Sequence, residues 1–486
     1  MRYTIKWKFL LKFLVVTAVA AAGIFFLHRW QLDGQVKDFI RRADVAAGEA
    51  ETHAKEGRDA EALAARRQEE SFLRRYIAAR PGEIEPRARL TRVLGDSALN
   101  PPLSKRQLQS AFYFAEDTLR RASDGRDGLP DETRKELHRL AARLAMPLEL
   151  FSDAERHVAA LLPKTVDPAA KLDPKYAEYF LLRARCLVGQ KKYEAAEAAY
   201  RKAIEADGGL LAAHFQLAQV LRERLGKAEQ ADQAVRDMEE ANKQNFRAHL
   251  LAAAYWREFG KLTDVDRAVK RAQALAPDEV DVLLAAADLS RIQARQARAA
   301  EVAARAQGKA GEEEKARAEA AAKVADARNL LNTALGKEQG RKNPGAYLLL
   351  AEVEADVRQL PAAVAAVERG LAELPDSTEL LVALSEYQFQ TGDRTGLAKT
   401  LEKLRSTDRA TPPGVAEYLQ ARVFALDEDW GKAAAVLGKA IPLMAGSPKR
   451  AREANLLLAR CYEQLGRHAN RFAAYDAALN NPTPLD

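Results

Sequence analysis

The chain is nearly without cysteine. Cys186 and Cys461 are the only thiols in 486 residues, and no CxxC pair occurs. That excludes a disulfide framework and a cysteine zinc site, and leaves two separate buried thiols. Aromatic residues make up only 7%, and period-two runs of β-branched residues are scarce, so almost no sheet is expected. Signatures of chemistry are missing too: there is no HExxH, no GxSxG, no P-loop and no GxGxxG following a strand. The seven histidines, His28, His53, His138, His157, His214, His249 and His468, are scattered. His214 and His249 each begin a helical stretch and read as packing residues. Glu312, Glu313 and Glu314 read as a solvated charge run. No residue is nominated as catalytic, cofactor-binding or metal-ligating, and the chain is read as non-enzymatic.

What it has instead is alanine, leucine, arginine and glutamate, with 30% of residues charged. That mixture favours helix nearly everywhere. The net charge of +7 is unevenly placed. Arg2, Lys6, Lys8, Lys12 and Arg29 fall within residues 1–29, where no acid occurs; the rest of the chain holds 71 basic against 69 acidic residues. A nearly neutral body argues against a nucleic-acid surface.

Residues 9–27, "FLLKFLVVTAVAAAGIFFL", form a run with one charge, Lys12. As a helix it would be about 29 Å long, close to the hydrocarbon thickness of a bilayer. Trp7 and Trp30 bracket it at interfacial positions. We read 1–30 as a signal-anchor or transmembrane helix. The rival is a cleaved signal, for which "AVA" and "AAA" offer small-residue sites, but apolar residues continue beyond them. Basic residues are balanced on the two sides of the run. The short basic head favours a cytoplasmic N-terminus, with the remainder periplasmic or extracytoplasmic.

The stretch "KKYEAAEAAYRKAIEAD" (191–207) places Ala196, Tyr200 and Ala203 on one helix face, a ridge between two small residues. The triad recurs, centred on Val158, Tyr200, Val235, Val269, Leu331, Val367, Leu401, Leu437 and Tyr475. The usual spacing of these centres is close to 34 residues, with one long interval between Val269 and Leu331. Upstream of each lies a small residue: Ala142, Ala184, Ala218, Ala253, Ala287, Ala351, Ser385, Ala421 and Ala459. Gly226, Gly260, Gly392 and Gly466 mark turns within helix pairs, and Pro163, Pro277, Pro375 and Pro482 follow second helices.

These features resemble the tetratricopeptide repeat family, helix–turn–helix units of 34 residues. The best copies are "HLLAAAYWREFGKLTDVDRAVKRAQALAPD" (249–278) and "YLLLAEVEADVRQLPAAVAAVERGLAELPD" (347–376). The resemblance covers about 130–483, with nine clear units and one or two degenerate ones before them. Gly208 stands where a proline is usual, and Arg471 where a small residue is usual. The fold expected is all-α: a tetratricopeptide-type α-solenoid preceded by the single transmembrane helix. Its expected divisions are a degenerate segment at 31–129, an array at 130–290, an inserted hairpin extension at 291–318 and a continued array at 319–486. No unit buries its apolar face alone, so stacking into one elongated superhelix is expected. The last unit lacks an evident cap, which implies a frayed end or a docked partner.

In this family the residue after the small alanine of each first helix lines a groove. The resemblance therefore implies a groove lined by Arg92, Arg143, Arg185, Gln219, Ala254, Asp288, Glu352, Glu386, Arg422 and Arg460. Of these, Arg143, Arg185, Glu352, Glu386, Arg422 and Arg460 are the candidate partner-binding residues, basic at both ends and acidic in the centre. The partners expected are a protein or peptide in the groove and the lipid bilayer through 9–27, with no cofactor, nucleic acid or small-molecule substrate. The expected function is a membrane-anchored scaffold in a bacterial cell envelope. An accessory subunit of an envelope-polymer or secretion enzyme differs from it only in the partner. A catalyst would need a compact Asp, Glu and His cluster in one groove, and a nucleic-acid binder would show steep salt dependence.

Overall fold

The computed structural model describes Thr17 and residues 34–100, 104–124, 128–163, 172–406, 413–444 and 446–480, and every regular element among them is helical. The chain divides into two compact units, Met1–Ala241 and Asn242–Asp486.

Unit 1 contains α1 (34–55), α2 (Asp59–Ala79), α3 (Ile84–Leu99), α4 (Lys105–Asp124), α5 (Asp131–Ala145), α6 (Phe151–Ala159), α7 (Ala177–Gly189), α8 (Tyr193–Ala206), α9 (Leu211–Gln219) and α10 (Ala228–Ala241). Unit 2 contains α11 (Phe246–Glu258), α12 (Leu262–Leu275), α13 (Val280–Ala306), α14 (Ala310–Gly336), the single turn α15 (Glu338–Arg341), α16 (Pro344–Asp356), α17 (Leu360–Glu373), α18 (Thr378–Thr391), α19 (Arg394–Ser406), α20 (Val415–Leu426), α21 (Trp430–Leu443), α22 (Pro448–Gln464) and α23 (His468–Leu479). Within each unit, first and second helices pair and successive pairs pack in chain order.

The recurring small residues explain the packing. Ala142, Ala184, Ala218, Ala287, Ala351, Ser385, Ala421 and Ala459 are all fully buried; where helices cross this closely, a Cβ is all that fits. The ridge residues of the triads are buried as well, from Val158 to Leu437. Tyr475 is the exception at 37% exposed. No described helix follows α23 to cover it, and Phe472 and Leu479 stand exposed beside it. Gly370 marks a close approach: a Cβ there would sit 2.8 Å from Tyr347 and 2.9 Å from Leu380.

The turns within pairs share one device. A single residue with positive φ reverses the chain: Gly57, Glu149, Lys191 and Gly226 in unit 1, and Gly260, Gly308, Arg358, Gly392, Glu428 and Gly466 in unit 2. A left-handed residue at this position satisfies the last carbonyls of the first helix. Lys191 shows the pattern: its N–H bonds the Val188 carbonyl, and the next N–H bonds that of Leu187. Glycine takes the conformation freely, whereas each non-glycine carries about 1 kcal/mol of strain.

Two helices break the size rule. α13 and α14 have 27 residues each, about 40 Å at 1.5 Å per residue, and turn on Gly308. Their seam holds Ala294, Ala297, Ala304, Ala316 and Ala320, all buried. Toward the tip, Arg305 and Arg317 each pair with both Glu301 and Glu313 at 2.6–3.2 Å.

No helix among the described residues is long and apolar enough to cross a membrane. The two longest, α13 and α14, are both interrupted by charges, from Asp281 to Arg305 in the first and from Glu312 to Arg328 in the second. This corrects the expectation of a membrane-anchored, single-pass chain. The segment assigned to the bilayer, residues 9–27, lies outside the described residues apart from Thr17. The lipid partner, the cytoplasmic N-terminus and the periplasmic or envelope placement all rested on that anchor and are withdrawn with it.

Candidate functional site

The groove candidates sit on first helices, and their surroundings differ between the units. In unit 1, Arg92 on α3 reaches Glu136 on α5 at 3.3 Å. Arg139, one turn before Arg143 on α5, donates to the Tyr179 hydroxyl of α7 at 2.7 Å and lies over its ring at 5.6 Å. Arg185 on α7 donates to Gln216 Oε1 of α9 at 2.9 Å. The same amide oxygen accepts from the Tyr200 hydroxyl at 3.2 Å; burial pushes that phenol up to about 12, with Arg185 opposing. A run of polar bonds thus crosses from first helix to first helix. Arg139, Arg143 and Arg185 are exposed, and none of them is paired to a carboxylate among the described residues.

Unit 2 has the same cross-helix pattern with carboxylates in it. Arg257 on α11 pairs with Asp288 on α13. Arg291, one turn on, pairs with Glu352 at 2.7 Å and with Asp356 at 2.8 Å, both on α16. Burial works against the Arg291 charge, but Glu352, Asp356 and Asp288 together hold its pKa above the ordinary arginine value. Arg257, Asp288, Arg291 and Glu352 line a cleft of about 350 Å³ together with Leu284, Leu348 and Leu349.

Farther along unit 2, Arg422 on α20 is buried, 5% exposed. It pairs with Glu386 of α18 and donates to the Tyr418 hydroxyl at 2.6 Å. Its guanidinium also lies 4.4 Å from the Tyr418 ring and 4.8 Å from that of Phe389. Burial raises the pKa of neighbouring Glu453, and Glu386 adds to the rise. Arg460 on α22 is exposed, 6.0 Å from the Trp430 ring, and has no carboxylate partner among the described residues.

Of the six candidates, Glu352 and Glu386 are thus bound to arginines of their own chain, and Arg422 is a packed interior residue. Arg143, Arg185 and Arg460 remain open. The sequence reading passed over Arg139, Arg291, Asp356 and Tyr418. Each lies three or four residues from a groove position or from Asp288, on the same helix face, and that spacing was the available signal.

A model of the tetratricopeptide repeat matches residues 177–209 and 453–481. Two helix pairs of the chain are thus similar to the tetratricopeptide repeat. The matched segments are α7 with α8 and α22 with α23, one pair from each unit. Such repeats are non-catalytic scaffolds, and no group of three or more His, Cys, Asp or Glu side chains suited to a metal ion lies among the described residues. None of the curated proteins matches the chain. Similar solved structures include a tetratricopeptide repeat protein from Parabacteroides merdae, 14% identical, covering 58% of this chain and 99% of its own length with a TM-score of 0.40. A human IFIT1 dimer with PPP-AAAA is 15% identical, covering 82% of this chain and 94% of its own, TM-score 0.36. YrrB, described as a tetratricopeptide repeat protein with an unusual peptide-binding site, is 15% identical, covering 43% and 95%, TM-score 0.29.

Proposed function

We propose that the protein is a non-catalytic tetratricopeptide repeat scaffold that holds an acidic peptide segment of a protein partner along the first-helix face of unit 1. One observation supports this most. Arg139, Arg143 and Arg185 are exposed and bond, where they bond at all, to neutral acceptors, so their charge is left for a partner. Arginine forks suit carboxylates, which they engage with two parallel hydrogen bonds. Unit 2 spends most of its first-helix charge on itself; Arg460 is a secondary contact there.

The test is fluorescence anisotropy with the full chain and a short glutamate-rich peptide, compared with the same peptide carrying glutamine throughout. The glutamate peptide binds about tenfold or more tightly at low salt, and the preference shrinks as salt screens it. Equal binding of the two peptides, or binding of neither, overturns the reading.

A further inference from the structure

Two histidines in unit 1 have no part in that face. His157 on α6 is 1% exposed. Its Nδ1 lies 2.9 Å from the Nδ1 of His138 on α5, and its Nε2 is in contact with Glu116 Oε1 on α4. Phe112 of α4 packs against the His157 ring edge to face at 6.3 Å. Three helices therefore meet at one imidazole. Arg156 donates to the other Glu116 oxygen at 2.8 Å and to Asp153 at 3.1 Å.

Two Nδ1 atoms at hydrogen-bond distance need one proton between them. Glu116 Oε1 faces Nε2 of His157 and favours the proton on that nitrogen, so in the neutral pair His157 Nδ1 accepts from Nδ1–H of His138. One added proton is accommodated. It settles on Nε2 of His138 while the shared Nδ1 proton passes to His157, which becomes an imidazolium facing Glu116 on one side and donating to His138 Nδ1 on the other. A second proton sets N–H against N–H and places two cations in rings whose centroids are 5.2 Å apart. The contact then has no acceptor and separates.

We propose that His138, His157 and Glu116 form an acid-released latch that fastens α5 to α4 and α6. The charged groups facing it are Glu116 from α4, Arg134 from α5, and Asp153 and Arg156 from α6. Burial, then the neighbouring His157 and Arg156, draws His138 down to about 4. Burial also lowers His157, against the pull of Glu116. An unfolded histidine titrates near 6.5. Between these values the open form binds more protons than the closed one, so the latch is at full strength above about pH 6.5 and weakens as pH falls toward 4. The helix it releases, α5, also carries Arg139 and Arg143. Regulation of peptide binding by acid follows only if the acidic-peptide reading holds; the latch does not depend on it.

Two measurements on the peptide-free full chain test the latch. In an NMR titration of the histidine rings, His138 and His157 remain neutral at about pH 6 and shift together below it. A ring titrating independently near 6.5 overturns the proposal. In hydrogen exchange corrected for its intrinsic pH dependence, amides of 131–159 open about tenfold more often at about pH 5 than at neutrality, while those of 415–443 in unit 2 do not. His138→Asn, which keeps a polar group at the Nδ1 position but cannot titrate, removes that acceleration. Acceleration that persists in His138→Asn, or is absent from the parent chain, overturns the latch whatever the anisotropy experiment shows.

Discussion

Beyond Arg92, which pairs with Glu136, the arginines of unit 1 that cross to the next first helix, Arg139 and Arg185, find a phenol or an amide, Tyr179 or Gln216. Where an arginine of unit 2 does so it finds a carboxylate: Asp288, Glu352, Asp356 or Glu386. Both solutions satisfy donors and bridge neighbouring repeats. They differ in what remains for solvent. A neutral acceptor leaves the full positive charge in place, and a carboxylate cancels it. Surface ion pairs add only about 0–1 kcal/mol each, so the contrast matters less to stability than to the field each unit presents.

Charge reversal attacks this contrast most directly. Arg143→Glu combined with Arg185→Glu weakens the glutamate-rich peptide about hundredfold in anisotropy, whereas Glu352→Gln in unit 2 changes it by less than about threefold. A similar loss from both would mean that the units do not divide the work. Next in size is the buried guanidinium. Arg422→Ala leaves Glu386 and Glu453 without their cation and opens a hole against Phe389, and we expect about 2 kcal/mol of lost stability. Exchange of amides in 415–443 reads that loss. The turns provide a smaller, paired test. Lys191→Gly in unit 1 relieves left-handed strain and stabilises by about 0.5–1 kcal/mol, and Gly466→Ala in unit 2 costs about as much; urea melts of each variant measure both. Smallest is Arg143→Ala, expected within about 0.5 kcal/mol of the parent in the same melts. A larger loss there would mark Arg143 as structural and remove it from the binding face.

The sequence carried the repeat because the repeat is a packing rule. Small residues at Ala184 or Ala421 and ridges at Tyr200 or Leu437 are demanded by how closely helices cross, and each can be read from its neighbours three and four positions away. The ion pairs are of another kind. Glu386 meets Arg422, and Glu352 meets Arg291, only because separate helix pairs stack. Nothing local to either residue announces the partner, so these side chains looked available when each was already engaged. The turns show the same limit. Gly226, Gly260, Gly392 and Gly466 stood out, but Glu149, Lys191, Arg358 and Glu428 adopt the same conformation without glycine to signal it. The bilayer anchor was inferred from an apolar run, its bracketing tryptophans and a basic head, and no helix of the described residues supports it.

The seam of α13 and α14 has one more consequence. Alanine has no side-chain rotamer to exchange, so this contact has no alternative packing to relax into. Pulling sideways on its outer end cannot be absorbed by reshuffling side chains. The displacement passes down both rods to their root, where Arg291 and Arg298 fasten the first of them to Asp356. The projection therefore acts as a handle on the face that Arg291 and Glu352 share.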